Sequence, residues 1–331
     1  MIEQEFSSVA KTVVEDIGGL SEGDELLLVT DPEKVHIARA LSSAARAIDA
    51  TAVIAVKPRL ETHGAELPKS VAEAMLGADL VFDVNTHAIT HTDARRRASA
   101  QGIPFVILRG ITDDIIIEQL DTDYDELNEV TQAVAAVQSA ADSAHVTTPH
   151  GTDVEMELTG RSGFGFDADI SVNGFVAIPA GKSAITPLEG TTEGTIVVDY
   201  SFDSIGTLSE PIELTVEGGR VVEVEGGAEA DDLQQIIDNH DDNATNIAEA
   251  PSLGTNKDVK LCGNQASDKK KRGTVHFAIG DNISLGGEVE SDMHLDATLT
   301  KPTVRFDGET VVDRGDFKKE KILQLAEEFS D

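Results

Sequence analysis

The sequence predicts an α/β protein in two parts. The first is an N-terminal parallel α/β sheet domain, residues 1–146; the second is a mostly antiparallel α+β metal-binding domain, residues 147–331. Three observations lead there. Apolar runs alternate with helical patterns up to about residue 140. From about residue 147, short strand-like runs follow one another, broken by Gly and Asn. Residues 272–304 then gather His276, His294, Asp281, Asp292 and Asp296, in a chain that has only 9 histidines and no tryptophan.

The elements justify this order. "ELLLVT" (25–30) reads as a buried strand, and Asp31 with Pro32 opens a helix over "PEKVHIARALSSAARAI". "TAVIAV" (51–56), "DLVFDV" (79–84) and "PFVILRG" are further strands, separated by helices at "PKSVAEAMLGA" and "HTDARRRASAQG". Such alternation implies a parallel sheet covered by helices. "VTDPEK" after the first strand is not a Gly-rich phosphate loop, which excludes a dinucleotide site there. Residues 113–146 read as helical and lead out of the first domain. "DVEMELTG", "GFVAIPAG", "GTIVVDYSF", "GTVHFAIG" and "MHLDATLTKPTVRFDGETVV" then read as strands, and "ELTVEGGRVVEVEGG" as a hairpin on its Gly-Gly turn. Helices are expected at 228–240 and at the C-terminal "KKEKILQLAEEF".

Composition narrows the setting. With 61 acidic and 26 basic residues the formal charge is −35, spread along the whole chain. Repulsion of that size strains a compact fold at low salt, and a Debye length of about 3 Å at molar salt removes most of the strain. A halophile's cytoplasmic protein is therefore expected. There is no basic stripe for nucleic acid; "DKKKR" (268–272) is one short basic run. No run approaches the length of a membrane span, and the acidic first twenty residues do not read as a secretory leader. The single cysteine, Cys262, excludes a disulfide framework and a thiolate zinc cage, and reads as a small buried residue.

The chemistry gathers late in the chain. Residues two apart on a strand share a face, so His294 and Asp296 present an imidazole and a carboxylate side by side. His276 lies on "TVHFAI", and the Gly-rich segment between can return antiparallel and bring it near His294. Glu249, in "NIAEAPSLGTN", is a carboxylate outside any charge run. Glu249, His276, His294 and Asp296 are thus four candidate ligands for a divalent metal ion. The same spacing also suits two histidines satisfied within a core. Further upstream, His91 between Thr90 and Thr92 falls just after the third strand, a position for a substrate group, although either threonine can instead cap the next helix.

These segments resemble the thermophilic leucyl aminopeptidase family, the aminopeptidase T and S metallopeptidases, with a haloarchaeal cast. "NIAEAPSLGTN", "GTVHFAIGDN" and "SDMHLDATLTKPTV" are similar to that family's ligand motifs, and "PAGKSAITPLEGTTEGTIVVD" to its upstream bridging segment. The resemblance implies Glu249, His276, His294 and Asp296 as ligands of zinc or cobalt. It implies Glu249 as a base in hydrolysis of small peptides, Asp281 as a partner for the substrate amine, and a homodimer. Two departures matter: Lys182 stands where the family has a glutamate bridging two metals, and Ile283 where a tyrosine is frequent. An ammonium has no lone pair with which to bridge, so one metal is the simpler expectation. Within the same superfamily, ring-cleaving dioxygenases of the dihydroxypyridine type use one iron held by two histidines and an aspartate. His276, His294 and Asp296 fit that alternative, with Lys182 favouring an anionic aromatic substrate. A degenerate, inactive homologue is the third reading.

Overall fold

The computed structural model describes residues 9–329 apart from His63, His91 and Arg109. The chain forms two units: Met1–Thr122 with Ala168–Ala180, and Asp123–Asp167 with Gly181–Asp331.

The first unit holds a five-stranded sheet in the order Thr51–Val56, Glu25–Thr30, Leu80–Val84, Phe105–Ile107, Phe175–Ala177, with every pairing parallel. Its inner strands are apolar without alternation, because helices cover both faces of a parallel sheet. Leu26 to Val29 and Leu80 to Phe82 are all buried. The helix after the first strand begins at Val35, later than Pro32 suggests, and buries Ile37, Ala38, Leu41 and Ala45 as one stripe. Residues 31–34 make a turn instead, in which the Asp31 carboxylate accepts from the Glu33 N–H at 3.2 Å. Thr92 caps the helix Asp93–Ala100 through the Arg95 N–H.

A single cut at 146/147 does not describe this division. The strand Phe175–Ala177, from "GFVAIPAG", pairs in parallel with Phe105–Ile107 and so returns to the first sheet. The helical stretch expected over 113–146 is two helices, Asp113–Gln119 and Tyr124–Ala140, followed by a strand, Ser143–Thr147. His145 lies on that strand.

The second unit contains an eight-stranded sheet and a seven-stranded sheet. The seven-stranded sheet runs Gly206–Thr207, Ser201–Phe202, His294–Leu299, Val275–Gly280, Ile247–Gly254, Lys182–Ala184, Phe164–Phe166. One apolar core joins the two, with Val146, Val154, Ile196 and Leu214 from the eight-stranded sheet and Leu253, Val275, Phe277, Ala297 and Leu299 from the seven-stranded sheet. The Gly-Gly hairpin forms as expected: Gly218 and Gly219 both have positive φ, +57° and +74°. Among the described residues no helix is long and apolar enough to cross a membrane.

Candidate metal centre

The site follows from strand parity. In the seven-stranded sheet the odd-numbered residues Val275, Phe277, Ile279, Leu295, Ala297 and Leu299 enter the core, so their even-numbered neighbours occupy the other face. His276 pairs across the ladder with Thr298, Ala278 with Asp296, and Gly280 with His294, in the antiparallel return the spacing predicts. On the other side His276 is opposite Ser252, and Gly254 is opposite Lys182, which is itself opposite Phe166.

Glu249 is three residues from Ser252 and in a regular strand would fall on the core face. Irregularities on both sides of Glu249 shift the register and set it opposite Ala278. A bulge of this kind re-aims one side chain, here by bringing a carboxylate onto the face that carries both histidines.

The structure thereby brings together Lys182, Glu249, His276, His294 and Asp296. Lys182 Nζ donates to Glu249 Oε1 at 2.8 Å and Oε2 at 3.2 Å, and lies 3.4 Å from His276 Nε2. His276 Nε2 also meets Glu249 Oε1 directly. His294 Nε2 is 3.9 Å from Glu249 Oε2 and 3.8 Å from Asp296 Oδ1. Lys269 Nζ caps Asp296 Oδ2. Glu249, His276 and Asp296 are buried, while the His294 side chain is 34% exposed, so the cluster opens to solvent on the His294 side.

Charge sets the protonation states. Burial opposes ionising Glu249, but Lys182 and then His276 outweigh it and hold the carboxyl well below its ordinary range. Asp296 is held low in the same way, against burial, by Lys269 and then by His294. Burial drives His276 down to about 4, against the pull of Glu249, so its imidazole is neutral. Burial also works against a charged His294, but Asp296 and Glu249 overcome it and raise its pKa.

These residues fit a divalent cation on two counts. Asp296 Oδ1 is a buried polar atom without a hydrogen-bond partner, and a native fold rarely leaves such an atom unanswered. Glu249, His276 and Asp296 each offer a donor atom within 4.8 Å of the others, and the donors are imidazole nitrogens and carboxylate oxygens of the kind iron and zinc take.

The remaining candidates stand elsewhere. The Asp281 backbone carbonyl accepts from His294 Nδ1 at 2.7 Å, which orients that ring, whereas its carboxylate accepts from the Ser291 N–H at 3.3 Å. His91 lies outside the described residues. Glu189, in the upstream segment that holds Lys182, is engaged with Arg161, with Asn282 at 3.0 Å and with the Glu288 N–H at 2.9 Å. Ile283 is 49% exposed on a single 3₁₀ turn. Cys262 is exposed, contrary to its reading as a buried residue, because its segment is a loop that ties to Asp268 through the backbone. Sequence reasoning passed over Lys269 and Lys270. The signal was the basic run "DKKKR" in so acidic a chain, which the fold presses onto the site face.

The comparisons agree with this geometry. No curated protein matches the chain in sequence. Among solved structures, a 2,5-dihydroxypyridine dioxygenase from Pseudomonas putida KT2440 superimposes with a TM-score of 0.79 at 19% identity, over 95% of this chain and 97% of that one. The aminopeptidase AmpT from Thermus thermophilus superimposes with a TM-score of 0.67 at 17% identity, over 96% and 100%. At such identities both show a shared fold, and the aminopeptidase resemblance holds at that level. The family model for NicX, 2,5-dihydroxypyridine 5,6-dioxygenase, matches residues 13–319, which favours the dioxygenase alternative over the hydrolase reading. Spanning nearly the whole chain, that match makes this protein a member of the NicX 2,5-dihydroxypyridine 5,6-dioxygenase family.

Proposed function

We propose that the protein is a mononuclear non-haem iron dioxygenase that opens a dihydroxylated aromatic ring of the pyridine type. One observation carries this: two imidazoles and one carboxylate, His276, His294 and Asp296, meet on one sheet face with Asp296 Oδ1 unpartnered, while an ammonium, Lys182, answers Glu249. His276, His294 and Asp296 would hold the metal, a two-histidine, one-carboxylate set. A ferrous ion bound there supplies redox chemistry toward dioxygen and open positions beside the triad.

The chain's own groups do the rest. Burial keeps the His276 imidazole neutral, the form that ligates. The Asp281 carbonyl fixes the His294 ring through Nδ1 and leaves Nε2 facing the carboxylates. Glu249 Oε2 is placed to take the proton of a substrate hydroxyl that arrives from the His294 side. Lys182 holds Glu249 anionic until then and fills the place where a second cation would need a bridging anion. A two-metal hydrolytic centre is disfavoured for that reason.

The test loads the protein anaerobically with ferrous iron and follows oxygen uptake with 2,5-dihydroxypyridine. Parallel samples carry zinc or cobalt and a leucine anilide. Oxygen uptake that depends on iron and on the diol is expected. Release of leucine without any oxygen uptake would return the hydrolase reading.

A further inference from the structure

Lys270 is 4% exposed, and among the described residues its ammonium makes no ion pair. The chain has 61 acidic residues, yet none of those described pairs with it. Its neighbours are answered: Lys182 by Glu249, Lys269 by Asp296, Lys257 by Glu126. A buried ammonium left unpaired carries its desolvation penalty with no partner to offset it. Burial and then the ammoniums of Lys182 and Lys269 press against its charge, with Asp296 and Glu249 giving only partial relief.

Its position is built rather than incidental. Residues 270 and 271 cross the site face where Gly254 ends the strand Ile247–Gly254. A Cβ at Gly254 would lie 2.1 Å from the Lys271 carbonyl oxygen and 2.8 Å from the Lys270 carbonyl carbon, so only glycine admits this crossing. The Asn256 N–H donates to the Lys270 carbonyl at 2.9 Å and holds it there. The Lys270 ammonium then lies 5.8 Å from the centroid of Phe166, a ring that also carries Lys182 at 5.0 Å.

We infer that Lys270, with the Phe166 ring beside it, is the subsite for an anionic substituent, and that this enzyme takes dihydroxylated aromatic rings bearing a carboxylate. This rests on the dioxygenase reading of the adjoining triad and names its substrate class. The hydroxyl groups of such a ring belong at the His276, His294 and Asp296 donors. Lys270 is not among those donors, so the group it answers is a separate one. Phe166 offers the flat apolar contact that an aromatic ring needs.

The experiment uses zinc-loaded protein, which does not turn over, and calorimetric titration with 2,5-dihydroxybenzoate and with 1,4-dihydroxybenzene, which differ by the carboxylate alone. Wild type is expected to bind the acid about 10- to 100-fold more tightly, as a charge-assisted hydrogen bond allows. Lys270→Met should abolish that preference and Lys270→Arg should retain most of it. Equal affinities in wild type, or a preference that survives in Lys270→Met, overturn the inference. If Lys270→Met does not fold, the wild-type pair of titrations decides alone. Iron-dependent oxygen uptake on 2,5-dihydroxypyridine without any preference for the acid overturns the subsite only. A Lys270-dependent preference without oxygen uptake on any of the three rings overturns the dioxygenase reading only.

Discussion

Both units bury carboxylates, and the pairs Asp31 with Asp83 and Glu249 with Asp296 are answered differently. In the first unit Asp31 and Asp83 are wholly buried at the carboxyl ends of parallel strands. Asp31 accepts from the N–H groups of Glu33 at 3.2 Å and Thr86 at 2.7 Å. Asp83 accepts from Asn85 Nδ2 at 2.8 Å and the Ile89 N–H at 3.1 Å. All four oxygens have fixed donors, mostly backbone. In the second unit Glu249 and Asp296 are answered by the flexible ammoniums of Lys182 and Lys269, and Asp296 Oδ1 accepts no hydrogen bond, with His294 Nε2 3.8 Å away. A carboxylate tied to backbone is structure. One held by side chains that can move, with an oxygen left over, is a place for a cation.

The largest effect expected from this contrast is on metal. Asp296→Ala or His276→Ala should lower ferrous-ion affinity by more than the roughly 10- to 100-fold typical of losing an outer-shell partner, while Asp83→Ala leaves it unchanged. Equilibrium dialysis of the three variants measures it, and loss of metal in Asp83→Ala would erase the distinction between the units.

Next is Lys182→Met, which strands a buried Glu249 charge. The metal-free protein should lose about 3–5 kcal/mol. Denaturant titration checks this, and added divalent ion should restore part of the loss because a cation then answers Glu249. Asp83→Ala should cost less, about 1–3 kcal/mol, for the Asn85 and Ile89 donors it leaves unpaired, with no recovery on adding metal.

Salt should act on both units alike. If screening of the −35 charge is what the acidic surface requires, the melting temperature rises by several degrees between low and molar salt; an unchanged value contradicts that.

The smallest effect concerns Glu126. Its bond to Lys257, with burial opposing and Lys319 and Arg272 adding to it, holds its carboxyl at about 2. A pKa depressed on folding stabilises above the unfolded value, about 4.3, and the contribution is lost as pH falls toward 2. Glu126→Gln should therefore melt below wild type at pH 7, and the two should converge across that window.

Much of this was legible in the sequence, for identifiable reasons. Parallel strands buried on both faces write themselves as unbroken apolar runs such as "ELLLVT". His294-x-Asp296 follows from strand period alone, and the Gly-rich return to His276 follows from length. What was not legible depends on contacts far apart in the chain. "FVA" (175–177) is three residues long, and only its pairing with Phe105–Ile107 assigns it to the first sheet. The bulges that turn Glu249 over are hinted at only by Pro251 in "NIAEAPSLG", which an inner strand tolerates at a bulge, and which face Glu249 takes appears only in the pairing with Val275–Gly280. Lys269 and Lys270 read as a solvated basic run because nothing local shows that Gly254 lets that segment cross the site. The same glycine is plain in the sequence, but its purpose appears only beside the Lys271 carbonyl.

The central claim is that the triad holds one metal ion and that Lys182 takes the place of a second. Elemental analysis of the protein after ferrous loading and desalting tests it most directly. One ion per chain is expected in wild type, none in Asp296→Ala, and two in Lys182→Glu, where a bridging carboxylate replaces the ammonium. Two tightly held ions in wild type, or an unchanged ion count in Asp296→Ala, would contradict it.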